Sequence, residues 1–73
     1  MSEGLGNRLR ELRAERDLTQ AALAELVGVS RKTINTIENG VFVPSTVLAL
    51  KLARALGRPV EGLFYLENGE QEI

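Results

Sequence analysis

Large apolar residues recur along this chain at intervals of three and four, in short runs broken by Gly, Pro and hydroxyl residues, the spacing of helices that bury one stripe. Leu5, Leu9 and Leu12 predict a first helix from about Leu5 to Arg16, with Arg8, Arg10, Glu11, Arg13 and Glu15 on its wet side and Leu18 closing over it in the following link. Thr19 stands where an N-cap belongs, so a second helix should run from Gln20 to Val27 and stop at Gly28, which can adopt a left-handed backbone. Ser30 offers the next N-cap, for a third helix to Asn39 with Gly40 as its stop. Pro44 and Ser45 open a fourth helix to Leu56, whose inner stripe is Leu48, Ala49, Leu52, Ala53 and Leu56. After Arg58 and Pro59, the stretch from Val60 to Phe64 has room for a turn or two of a fifth. No alternating pattern of useful strand length appears, and only Tyr65 and Leu66 suit a short extended piece. The expectation is an all-α domain over residues 1–66 followed by an acidic flexible tail over 67–73.

The second and third helices carry the most specific spacing. Leu23, Val27, Val29, Ile34 and Ile37 place one stripe of each helix, and the turn between them, against a shared core. Ala24 is small where the two helices cross, and with Gly28 it permits the steep crossing of a helix-turn-helix. What remains outside is Arg31, Lys32, Thr33, Asn35 and Thr36, a polar face of the kind that meets base edges in the major groove.

These residues carry a family resemblance. The frame of Gln20, Ala24 and Gly28, the ENG at 38–40, the VPS at 43–45 and the LKLARALGRPVEGLF at 50–64 resemble the Cro and phage-repressor type helix-turn-helix, the XRE family, over roughly Leu9 to Leu66. The resemblance implies a compact five-helix, lambda-repressor-like DNA-binding domain with the helix-turn-helix at helices 2 and 3. It implies a sequence-specific transcriptional regulator, most often a repressor, that binds a palindromic operator as a homodimer. It further implies that Gln20 anchors the DNA backbone, that Thr36 reads a base, and that Arg13 on the first helix pairs with Glu38 in a structural salt bridge.

Composition narrows the alternatives. Seventy-three residues make one small domain, near the size at which a single core is marginal and a second copy helps. With no Cys and no His, and no glycine-rich phosphate loop, the usual catalytic and metal-binding constellations cannot be assembled, so neither an enzyme nor a cofactor is expected. No small-molecule site is legible. The start lacks the apolar stretch of a secretion signal, and no run approaches the ~20 apolar residues of a membrane span; a cytoplasmic protein, complete as a regulator, is the expectation. The net charge of −1 is unevenly spread. Residues 1–58 hold all nine Lys and Arg against six acids, a balance of +3, whereas residues 59–73 carry only Glu61, Glu67, Glu70 and Glu72. That places a mildly basic body beside an acidic end.

The candidate DNA contacts are Gln20, Ser30, Arg31, Lys32, Thr33, Asn35, Thr36 and Asn39. Gln20 opens its helix, where amides and a side-chain carboxamide can face a phosphate. Arg31 and Lys32 are long cations at the start of the recognition helix and suit guanine O6 and N7, with phosphate contact the plainer role for Lys32. Thr33 and Thr36 share one face, and Asn39 suits either a phosphate or a cap. Many members of the resembling family are basic in the next loop, but here it reads Val41-Phe42-Val43. Phe42 is expected to pack beneath that loop. Val41 and Val43, together with Leu63, Phe64, Tyr65 and Leu66, are candidates for a dimer interface. A protein-interaction module on the same fold, an antitoxin or an adaptor, is the alternative that the low charge and apolar loop favour.

Overall fold

The computed structural model describes residues 4–67. It is mostly helical, with five helices and one small sheet: β1 (Leu5–Asn7), α1 (Leu9–Glu15), α2 (Gln20–Val27), α3 (Arg31–Glu38), α4 (Thr46–Leu56), α5 (Val60–Leu63) and β2 (Phe64–Leu66). Three helix starts are fixed by hydroxyl caps. Thr19 Oγ1 accepts from the Ala22 amide at 2.9 Å, Ser30 Oγ from Thr33 at 3.1 Å and Ser45 Oγ from Leu48 at 3.1 Å. At the far end of α2, Gly28 takes φ 78, where a side chain would be strained. Asp17 supplies the equivalent left-handed residue after α1 at φ 55, a conformation that Asp tolerates better than most residues.

The first helix begins later than its leucine spacing predicts. Leu5–Asn7 is a strand, paired antiparallel with Leu66, Tyr65 and Phe64 in that order. Hydrogen bonds from Arg8 N to Leu63 O (2.8 Å) and from Glu67 N to Gly4 O (2.9 Å) extend the pairing on both sides. Asn7 ends the strand and starts the helix, because its Oδ1 accepts from the Leu9 amide at 3.1 Å. Gly6 leaves room at the centre for the Tyr65 ring, which covers it and which a Cβ there would displace. The short extended piece expected at Tyr65 and Leu66 is thus half of a two-stranded clasp, and α5 gives up Phe64 to it.

Every helix contributes to one core, in which Leu9, Leu23, Ile34, Leu52, Leu56 and Leu63 are fully buried and Ile37, Leu12, Ala24 and Val27 nearly so. Two expectations fail against it. Leu63 and Phe64, assigned to a dimer interface, are spent on the chain's own core, at 0% and 9% exposure. Phe42 does not pack beneath its loop but is 46% exposed, with its amide and that of Val41 both held by Thr36 O on α3. Of the acidic tail expected over 67–73, Glu67 is tied to Gly4 through its amide, and residues 68–73 lie outside the described residues.

Candidate nucleic-acid interface

Glu38, the last residue of α3, organises this region although its own side chain is fully buried. Arg13 on α1 grips it with two hydrogen bonds, Nε to Oε2 at 2.7 Å and Nη2 to Oε1 at 3.2 Å. The same guanidinium donates through Nη1 to Leu18 O at 2.8 Å, tying in the link before α2. Gln20 Nε2 donates to Glu38 Oε1 at 3.0 Å, and Arg10 Nε lies 3.6 Å from that oxygen. Burial pushes the Glu38 carboxyl up, but the hydrogen bonds from Arg13 and Gln20 and the charges of Arg13 and Arg10 outweigh it and hold the group below the ordinary carboxylate range. A buried carboxylate so enclosed locks the end of α3 to α1 and to the start of α2.

From this anchor a chain of polar contacts runs along the outside. Gln20 Nε2 also donates to Asn35 Oδ1 at 3.2 Å, and Asn39 Nδ2 donates to the same oxygen at 3.4 Å. Asn39 Oδ1 accepts from Arg10 Nη2 at 3.3 Å, while Gln20 Oε1 accepts from Arg31 Nη1 at 3.4 Å. Gln20, Arg31, Asn35 and Asn39 therefore form one connected surface, with Arg10 at its edge. Ser30 and Thr33 bring their hydroxyls within 3.0 Å of each other, and Thr36 Oγ1 donates back to Thr33 O at 2.9 Å. Thr36 thereby spends its proton inside the helix and keeps its methyl group for apolar contact. Arg31 and Lys32 are exposed, and neither makes an ion pair among the described residues.

The helix-turn-helix family model HTH_3 matches residues 9–63. The chain belongs to the HTH_3 family. Similar proteins include the HTH-type transcriptional regulator YgzD of Bacillus subtilis, 46% identical over 62 residues that cover 85% of this chain and 94% of YgzD. Among solved structures, the restriction-modification controller protein C.AhdI of Aeromonas hydrophila superposes with a TM-score of 0.71 at 42% identity, over 75% of this chain and 83% of that one. The P22 c2 repressor, solved in complex with a synthetic operator, superposes at 0.72 with 33% identity, over 74% and 82% of the two chains.

Within this HTH_3 domain, two parts of the site had gone unread in the sequence. Arg10 precedes Arg13 by three residues and so shares its face of α1. Asn7 Nδ2 donates to Ile37 O at 2.9 Å, fastening the end of α3 to the clasp. Gln20 gives both protons of its carboxamide to Asn35 and Glu38. Val41, Val43, Tyr65 and Leu66 are exposed, at 77%, 67%, 47% and 57%. Nearby, Leu5, Pro44, Ala49, Leu50, Val60 and Phe64 line a shallow groove of about 610 Å³. No helix among the described residues is long and apolar enough to cross a membrane.

Proposed function

We propose that this DNA-binding transcriptional regulator of the HTH_3 type is a repressor that binds a palindromic operator as a homodimer, each copy seating α3 in the major groove. The observation that carries the reading is the rigid presentation of α3: a polar outer face with two cations that make no ion pair among the described residues, held from behind by a buried carboxylate that accepts three hydrogen bonds. Arg31 supplies base contact, with Gln20 Oε1 steadying its guanidinium. Lys32, Ser30, Thr33 and Asn39 face phosphates, and the amides that open α2 supply the backbone anchor that the occupied Gln20 carboxamide does not. Thr36 presents its methyl group to thymine, and Asn35 stays available at its outer edge. Similarity to the P22 c2 repressor, solved in complex with a synthetic operator, supports operator binding and the repressor role.

One recognition helix reads only a few base pairs, and a second copy about one helical turn, ~34 Å, away supplies the rest. The exposed apolar residues Val41, Val43, Tyr65 and Leu66, beside the groove at Leu5, Ala49 and Val60, are the surface that such a pairing covers. Selection of bound sequences from a random duplex pool tests the whole reading: it should return an inverted repeat with half-sites one turn apart. Retention of no sequence at low salt would instead favour a protein-interaction module, an antitoxin or adaptor on the same scaffold.

A further inference from the structure

We infer that the outer face of α4 and the C-terminal end of α2 form a docking groove for an acidic amphipathic helix of a partner protein. α4 is apolar on two sides. Leu48, Leu52 and Leu56 enter the core, whereas Val47, Leu50, Lys51 and Arg54, spaced as one helical face, point away from it, with Val47 62% and Leu50 56% exposed. Two depressions, of about 470 and 260 Å³, meet at Lys51 and Arg54. The larger is floored by Val27 and Ala55 and walled by Leu26, itself 63% exposed; the smaller is lined by Val47 and Leu50.

Charge selects the occupant. Arg8, Arg10, Arg13 and Arg58 are committed to carboxylates of this chain, Arg31 and Lys32 lie on α3, and Arg16 lies over Gly57, outside both depressions. Lys51 and Arg54 have no carboxylate partner among the described residues, yet they stand over an apolar floor whose one acid is Glu25. A phosphate backbone would meet the cations but leave Leu26, Val47 and Leu50 against a hydrated surface. A helix with apolar residues on one face and Glu or Asp beside them fills both depressions and pairs both cations. The groove assigned above to the second copy lies across Leu50, on the Leu5 and Val60 side, so the two surfaces are separately testable.

The probe is a stapled helical peptide of about four turns with Leu on one face flanked by Glu, compared with the same peptide flanked by Lys. Amide shift mapping on the full chain, free and with duplex DNA, should place the acidic peptide at residues 26–28, 47, 51, 54 and 55 in both states. The double variant Lys51→Glu, Arg54→Glu should weaken the acidic peptide at least about tenfold and strengthen the basic one. Because both side chains are exposed, the variant's melting curve serves as its folding control. The proposal is overturned by unsaturable shifts, by shifts at α3 or at the Leu5 and Val60 groove, or by equal binding of the two peptides. It is equally overturned if Leu26→Ser changes the sedimenting mass of the chain, which would make a second copy the occupant.

Discussion

A carboxylate removed from water has to be solvated by its neighbours, and Glu38 obtains from Arg13, Gln20 and Arg10 what water would otherwise supply. Because its folded pKa is depressed, its stabilising contribution is present above the unfolded value of about 4.3 and is lost as the pH falls from there through the folded pKa. Glu38→Gln strands the Arg13 charge, and since Arg13 is itself only 16% exposed, a loss of about 3 kcal/mol is expected at pH 7. Thermal unfolding at pH 7 and pH 3 checks both parts: the gap between variant and wild type should narrow at the lower pH. Arg31→Ala should cost ~1 to 3 kcal/mol of DNA affinity and relax preference at a single base step; a uniform loss across sequences would reassign Arg31 to the phosphates. The Arg13 and Glu38 pairing was readable only through family resemblance. The engagement of Gln20 was not readable at all, because it depends on where the end of α3 lies in space.

At the scale of elements, the helices were legible wherever a cap fixed them locally. Thr19, Ser30 and Ser45 each sit one residue before a helix and bond into its first turn, so the boundaries of α2 and α4 needed no tertiary information. β1 is the counterexample. Leu5 keeps helical spacing with Leu9 and Leu12, and its strand is specified by a partner near the other end of the chain, which no local window contains. The clasp has its own test in Gly6→Ala, whose methyl group must push the Tyr65 ring aside. The chain has one Tyr and no Trp, so tyrosine fluorescence reports the displacement directly. A changed quantum yield and lower melting temperature are expected, while the helical circular dichroism of the folded state stays constant.

For the molecule as a whole, the unresolved balance is between a small core and a large apolar exterior. Among the described residues, thirteen hydrophobic ones are buried in one cluster and eight large ones remain outside, more than isolated solvation explains when several adjoin a groove. If pairing covers the side near the clasp, Val43→Ser with Leu66→Ser should shift sedimentation toward the single-chain mass. It should also convert steep operator binding into weak half-site binding, with the monomer fold intact by circular dichroism. Which apolar residues were free to pair could not be read from the sequence, since Leu63 and Phe64 look as available as Tyr65 and Leu66 until α5 turns the first inward and β2 the second. The bond between Gly4 and Glu67 has a different implication. It makes the folded body a nearly closed ring, with one continuous circuit of backbone interrupted at a single seam. A short peptide joining the two sides of that seam would let the chain be reopened elsewhere, as at the exposed Val41 to Val43 loop, with the order of its elements rotated and their contacts unchanged.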